Sequence, residues 1–288
     1  MKILILGGTG MLGHKILQIM SAHHSVIGTV RNNSRDYQRH PVLKDIPLVG
    51  NIRADDFPKV SSCINKNEPD VIVNCIGIVK QLPEAQDPLK SIMINALFPH
   101  QLATICQQNN IRLIHFSTDC VFSGRRGNYF EDDISDAEDL YGRSKFLGEV
   151  NYPGCLTIRT SIIGRELKGN HGLLEWFLSQ KGNKVFGYKN ALFSGVTTIT
   201  LSKIIDKIVS ENLKISGIYH VSSDPISKYD LLSLVNKVYK AGISIEPEYA
   251  TINNRILIGK KFKTYTHIKI PSWRHMINEM YLDETTYI

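Results

Sequence analysis

No stretch of this chain approaches 18 uninterrupted apolar residues, although 42% of its residues are hydrophobic. No segment therefore reads as a membrane span. Cysteine is scarce and odd in number: the five at 63, 75, 106, 120 and 155 include no Cys-x-x-Cys pair. That excludes a disulfide framework and a zinc site, and points to a reducing, cytoplasmic compartment. The net charge is +7, yet there is no block of Lys and Arg and no interleaving of basic with aromatic residues. Nucleic acid is therefore not an expected partner; dispersed positive charge suits small anionic ligands, or simply a basic surface. The ten histidines lack ligand spacing, with His23-His24 ahead of a strand and His115 inside one, so no metal site is expected. A signal peptide is a poor reading, because glycines interrupt the first apolar segment and no small-residue cleavage site follows. Internal repeats, low-complexity segments and clear linkers are all missing.

What is present begins at the N-terminus. Lys2 to Leu6 is a short apolar run of the kind that forms a strand buried on both faces. It leads into Gly7-Gly8-Thr9-Gly10-Met11-Leu12-Gly13 and then a helical pattern through Ile16, Leu17, Ile19 and Met20. Strand, glycine turn and helix in that order make a dinucleotide fingerprint, with pyrophosphate meeting the helix N-terminus. Two registers fit. Gly7-x-x-Gly10-x-x-Gly13 is preferred over Gly8-x-Gly10-x-x-Gly13, because its first glycine follows the strand directly. Gly7, Thr9, Gly10, Met11, Leu12 and Gly13 are thus candidate cofactor contacts. NAD sites usually end the second strand, here Ser25 to Val30, with an acid for the ribose 2′-hydroxyl. No acidic residue occurs there before Asp36; Arg31 follows instead, with Arg35 nearby. A guanidinium suits a 2′-phosphate, so the expected cofactor is NADP(H).

Strands and helices then alternate, which predicts an α/β fold with a Rossmann-type doubly wound parallel sheet. Asp70 to Ile76 reads as a strand ending at Gly77, Pro88 to Gln108 as a helix bent or split by Pro99, and Ile111 to Phe116 as the next strand. Cys155 to Thr160 is a further strand. Beyond it the rhythm becomes irregular, with helices near Leu173–Leu178, Leu201–Val209 and Tyr229–Tyr239 and a strand at Ile218–Val221. Residues 1–163 are expected to hold cofactor and catalytic residues, and 164–288 to form mainly a smaller substrate-binding lobe. Some segments of the latter, about 196–222, are expected to return to the Rossmann core.

The strand at Ile111–Phe116 delivers Ser117-Thr118-Asp119 to the sheet edge where ligands of open parallel sheets collect. Tyr141-Gly142-Arg143-Ser144-Lys145 follows 23 positions after Thr118. A tyrosine and a lysine four apart share one helix face. An ammonium beside the phenol would lower its pKa and let it exchange a proton near neutral pH, with the Thr118 hydroxyl on the same reacting oxygen. Thr118, Tyr141 and Lys145 are the candidate catalytic residues.

Together these motifs resemble the extended short-chain dehydrogenase/reductases. Ser117 to Gly124, Leu140 to Lys145 and Ile158-Arg159-Thr160-Ser161 are similar to the dTDP-4-dehydrorhamnose reductase branch, which reduces the 4-keto group of nucleotide-linked deoxysugars. The likeness is looser after about residue 163, where Phe193-Ser194-Gly195-Val196-Thr197, Pro271-Ser272-Trp273 and Met276 look more like relatives acting on UDP-linked 2-acetamido-2,6-dideoxy-hexos-4-uloses. The resemblance implies a dTDP- or UDP-linked sugar substrate, a role in surface-polysaccharide precursors such as O-antigen, and it admits a homodimer. It makes Tyr141 the general acid, Lys145 the cation that tunes it and binds the nicotinamide ribose, and Thr118 the hydroxyl that orients the carbonyl. It sets Asn51 and Ile52 against the adenine and Cys75, Ile76 and Gly77 along the dinucleotide. Asn95 falls where a helix asparagine helps organise the active site, or it caps a kink near Pro99.

Two other functions stay open: a 4,6-dehydratase or epimerase on the same scaffold, and a non-catalytic NADP-binding regulatory subunit of methionine adenosyltransferase type. Against the first, dehydratases follow the catalytic Thr with Asp-Glu, whereas this chain has Thr118-Asp119-Cys120. The acidic residues Glu131, Asp132, Asp133, Asp136, Glu138 and Asp139 are expected to be a solvated or helix-starting loop. Lys80, Lys168 and Trp176 are candidate contacts for diphosphate or base, or ordinary surface and core residues.

Overall fold

The structure, a computed structural model, describes residues 1–37 and 39–287, so the expected boundary at 288 lies outside the described residues. Seven strands form one all-parallel sheet: β1 (Lys2–Leu6), β2 (Ser25–Thr29), β3 (Leu48–Val49), β4 (Val71–Asn74), β5 (Arg112–Thr118), β6 (Cys155–Thr160) and an edge strand at Gly217–His220. Their spatial order is β3, β2, β1, β4, β5, β6 and the edge strand. The chain starts in the middle, winds outward to β3, and returns to β4 on the other side of β1. That reversal opens a crevice beyond the C-terminal ends of β1 and β4, the topological switch point where doubly wound folds take their ligands.

Burial explains the apolar runs. Ile3, Leu4, Ile5 and Leu6 are all fully buried, but on opposite faces. Ile3 and Ile5 pack with helix α1 (Gly13–Met20) and the Thr198–Ser210 helix. Leu4 and Leu6 pack with Val60 and Ile64 of the Phe57–Asn67 helix and with Phe98 and Leu102. A strand covered by helices on both sides has no polar face to alternate. Each such side chain contributes about 1.5–3 kcal/mol relative to exposure.

Two strands differ from the sequence reading in ways that matter for the site. β4 stops at Asn74, whose side-chain oxygen accepts the Ile76 N–H at 3.1 Å and turns the chain out of the sheet. β5 runs on to Thr118, so Ser117 and Thr118 sit in the ladder opposite Arg159 and Thr160 of β6. The Pro88–Gln108 helix is interrupted by a widened π segment at Ile92–Leu97. Pro99 has no N–H to give the Asn95 carbonyl, so the turn opens just before it.

Beyond β6, Val196–Thr197 pairs with Ile162–Ile163, the Thr198–Ser210 helix lies on α1, and Gly217–His220 joins β6. A separate small sheet consists of Ile226–Ser227, Ala191–Phe193 and Asn253–Asn254. Among the described residues, no helix is long and apolar enough to cross a membrane.

Candidate active site

The glycine turn is held by its backbone. Gly7 has φ +83°, which side chains resist, and a Cβ there would lie 3.1 Å from backbone atoms of Cys75 and Ile76. A Cβ on Gly13 would sit 2.1 Å from the Gly7 carbonyl oxygen, so α1 starts against the turn only because residue 13 is glycine. A Cβ on Gly10 would meet that oxygen only at an ordinary 3.4 Å. The protein's own packing does not require glycine at 10, which leaves that side of the turn open to a ligand. Gly7 N–H donates to the Thr29 hydroxyl at 3.2 Å and Gly8 N–H to the Thr29 carbonyl at 2.8 Å. Thr9 is half-buried, Met11 half-buried and Leu12 buried. No side chain caps the start of α1 and its first turn carries no acid, so its N–H groups suit an anion such as a pyrophosphate.

One anchor of this turn was not legible beforehand. His14 Nδ1 lies 2.8 Å from the Gly10 carbonyl and must donate to it, so its Nε2 accepts from the Tyr287 hydroxyl at 2.7 Å. Burial pushes His14 down to about 3, which keeps the ring neutral for this arrangement. Lys15, also buried, pairs with Asp283 at 2.5 Å. The C-terminal turn Asp283–Tyr287 thereby straps the glycine turn from 270 residues away in the chain (283 against 13).

At the end of β2, Arg31 is exposed. Asn51 is exposed with φ +60°, its N–H donating to the Asn32 carbonyl at 2.9 Å, while Ile52 is buried. The sequence reading overlooked Asp55, which comes close enough to feel Arg31. Two hydrogen bonds from Arg53 hold its carboxyl below the usual range, and Arg31 adds to this. Lys168 is 5.0 Å from the centre of the Tyr37 ring, which places it beside the loop after β2 rather than near Thr118.

The catalytic candidates meet at the end of β5. Thr118 is buried; its hydroxyl donates to Asp119 Oδ1 at 3.2 Å and accepts the Cys120 N–H at 3.1 Å. Asp139 caps the Leu140–Leu147 helix by accepting the Gly142 N–H at 2.7 Å. A Cβ on Gly142 would sit 2.2 Å from the Cys120 carbonyl oxygen, so this glycine lets the Tyr141 helix press against the Thr118 segment. Lys145 Nζ donates to the Phe116 carbonyl at 2.6 Å. A Cβ on Gly77 would lie 3.8 Å from Lys145 Nζ and 3.4 Å from Asn95 Oδ1, which puts the loop after β4 beside the lysine. Cys75 N–H donates to the Leu6 carbonyl at 2.9 Å, and burial raises the Cys75 thiol pKa.

The electrostatics correct one expectation. The Tyr141 pKa is raised above its ordinary 10.0, not lowered. Burial is the main cause; Cys120, Asp119 and Asp139 add to it, and the hydrogen-bonding contact with Thr118 opposes it. Lys145 is not among the groups that act on the phenol. Burial brings Lys145 itself down to about 8, with Glu149 opposing. The phenol is protonated at neutral pH, which is the form a proton donor needs. Burial also pushes the Cys120 thiol up to about 12, so it is no base.

The remaining candidates have structural partners. Asn95 is buried in the π segment, where it accepts the Ile78 N–H at 2.9 Å, donates to the Ile78 carbonyl at 3.1 Å and reaches the Ser144 hydroxyl at 3.4 Å. It thus clamps the loop after β4 to the Tyr141 helix rather than capping a kink. Lys80 pairs with Asp139 at 2.6 Å, and Trp176 is exposed on the Leu173–Leu178 helix. The acidic loop is not simply solvated. Glu131 accepts the His220 N–H at 2.9 Å, Asp136 holds Ser123, and Asp133 and Glu138 pair with Arg126 and Arg125. The sequence reading also missed Lys228 and Arg255, which the small sheet brings to Asp119 and Cys120, with Lys228 over the Phe193 ring.

Fold and site define a dinucleotide-binding α/β protein with a Thr, Tyr and Lys constellation beside the glycine turn. The chain belongs to the family described as the RmlD substrate binding domain, whose model matches residues 1–286, and is an extended short-chain dehydrogenase/reductase of the dTDP-4-dehydrorhamnose reductase-like branch. It is 24% identical over 279 residues to a dTDP-4-keto-6-deoxy-D-glucose reductase of Streptomyces niveus, covering 94% of this chain and 89% of that one. A probable low-salt glycan biosynthesis reductase of Haloferax volcanii is 27% identical over 170 residues, 57% of this chain and 54% of its own length. The solved dTDP-4-dehydrorhamnose reductase of Bacillus anthracis, in complex with NADP, shares the fold with a TM-score of 0.78 at 19% identity, covering 98% of this chain and 99% of that one.

Proposed function

We propose that this protein is an NADPH-dependent reductase of the 4-keto group of a dTDP- or UDP-linked 6-deoxyhexosulose, serving precursors of a surface polysaccharide. The observation that carries this is a half-buried, protonated Tyr141 phenol beside the Thr118 hydroxyl, with Lys145 next to Gly77 on the dinucleotide side. The nicotinamide supplies hydride to the carbonyl carbon when bound. Tyr141 gives its proton to the carbonyl oxygen, and Thr118 orients that oxygen. Lys145 Nζ, with N–H groups beyond the one given to Phe116, binds the nicotinamide ribose. Gly7 to Gly13 and the start of α1 hold the pyrophosphate, and Arg31 holds the 2′-phosphate. Residues 1–163 carry these tasks, and most of 164–288 grips the sugar nucleotide. The NADP complex of the Bacillus anthracis relative supports the cofactor assignment.

Cys120 weighs against dehydration. A thiol held at about 12 cannot replace the second carboxylate that removal of water across C5–C6 requires. The test is NADPH oxidation against a panel of dTDP-, UDP- and GDP-linked 4-keto sugars. Stoichiometric oxidation is expected, with deuterium from labelled NADPH at C4 of the product. Turnover of a 4-hydroxy sugar nucleotide without net cofactor consumption would replace the reductase with an epimerase or dehydratase.

A further inference from the structure

The strand Ala191–Phe193 pairs with Ile226–Ser227 on one side and Asn253–Asn254 on the other. Two of these strands deliver a residue to the segment after β5, Lys228 just after the second and Arg255 just after the third, and Phe193 of the first lies under Lys228. Arg255 is committed to the protein. Its Nε donates to the Phe122 carbonyl at 2.8 Å, its Nη2 to the Ser123 carbonyl at 3.3 Å, and its Nη1 reaches Cys120 Sγ at 3.6 Å.

Lys228 is not committed in this way. Its Nζ lies 3.7 Å from the centre of the Phe193 ring and within the electrostatic reach of Asp119 and Cys120. Among the described residues, no hydrogen bond or ion pair reaches it. Lys228 is half-buried, whereas the fully buried lysines have acceptors: Lys15 has Asp283 and Lys145 has the Phe116 carbonyl. An ammonium carries three donors, and an aromatic face satisfies only part of what is lost from water. Burial brings Lys228 down to about 8, so it is mainly charged at neutral pH.

We infer, resting on the function proposed above, that Lys228 binds the sugar of the substrate, its ammonium donating to an oxygen acceptor on the pyranose ring. The neighbours it shares decide which part of the substrate it meets. Asp119 and Cys120 directly follow Thr118, so a sugar whose carbonyl lies at Thr118 and Tyr141 has its ring, rather than its diphosphate, in front of Lys228.

The experiment is calorimetric titration of NADP-loaded protein with UDP, dTDP, UDP-N-acetylglucosamine and dTDP-glucose, sugars that bind without being reduced. Wild type is expected to bind each sugar nucleotide more tightly than its diphosphate. Lys228→Met should weaken the sugar nucleotides tenfold or more, roughly the loss of one hydrogen bond to a charged group, and leave UDP and dTDP unchanged. Lys228→Arg should restore most of the affinity. If Lys228→Met fails to fold, Lys228→Gln, which removes the charge and keeps a donor, carries the same comparison. Equal losses for diphosphates and sugar nucleotides would assign Lys228 to the diphosphate and overturn the inference. So would unchanged affinities, or a wild type with no preference for the sugar. A protein that binds sugar nucleotides through Lys228 yet oxidises no NADPH would fail the reductase reading alone.

Discussion

Arg159 and Glu149 face each other through two hydrogen bonds of 2.7 Å, each side chain only 3% exposed. The pair stands directly behind the segment that ends in Thr118. Glu149 Oε1 also accepts the Ser117 hydroxyl at 2.7 Å, and Arg159 lies opposite Ser117 in the sheet. The two charges offset each other's desolvation only while both remain. Glu149→Ala should therefore destabilise the fold by about 3–5 kcal/mol, read as a drop in the urea midpoint. Replacing both by apolar residues of similar volume should recover much of that loss, and a double variant no more stable than Glu149→Ala would show that the Ser117 contact and the 3.1 Å bond from Arg159 to the Glu131 carbonyl matter more than the charges.

Removing the Tyr141 hydroxyl should be a chemical loss only. Tyr141→Phe is expected to lower kcat by about 10²–10⁴-fold, with NADPH affinity nearly unchanged. Near-normal turnover in that variant would remove the phenol from the mechanism.

Lys145 provides a pH signature. Its folded pKa of about 8 means that the ammonium is present below that pH and lost above it. NADPH affinity should fall as pH rises through about 8, because the ribose loses a charged donor. Lys145→Met should bind weakly at every pH, with that step absent. The step is read from fluorescence titrations across the range, and its persistence in Lys145→Met would assign it to another group.

Arg31 should discriminate between cofactors. Arg31→Ala is expected to lose about 1.5–3 kcal/mol of NADPH affinity and little NADH affinity, as one charge-assisted contact to the 2′-phosphate would imply. Equal losses for both cofactors would detach Arg31 from that phosphate. Asp55, already held by Arg53, should not cancel this preference.

The glycines of the turn should separate by cause. Gly13→Ala drives a Cβ into the Gly7 carbonyl and should cost both thermal stability and cofactor binding. Gly10→Ala meets only an ordinary contact within the protein, so its melting temperature should stay near wild type while NADPH binding weakens. A Gly10→Ala protein with intact NADPH affinity would place the pyrophosphate elsewhere.

The residue pattern by itself determined the parts in which neighbours in the chain are also neighbours in space. β1, the glycine turn and α1 form one continuous segment whose apolar run, φ requirement and helix start are all local. Tyr141 and Lys145 share a helix, and Thr118 ends a strand, so their types and spacing were legible from order alone. Tertiary structure decided whatever depends on charges and packing from distant segments. Tyr141 gains its raised pKa from burial among Cys120, Asp119 and Asp139, which i,i+4 spacing does not encode. Pro99 announced a break in its helix, but only the fold shows Asn95 using that break to hold Ile78 and Ser144. Strands of two or three residues, such as Ile226–Ser227 and Asn253–Asn254, are too short to show a period of two. Their pairing with Ala191–Phe193 is set by long-range packing, and that pairing alone carries Lys228 and Arg255 to a site more than 100 residues earlier in the chain (228 against 119).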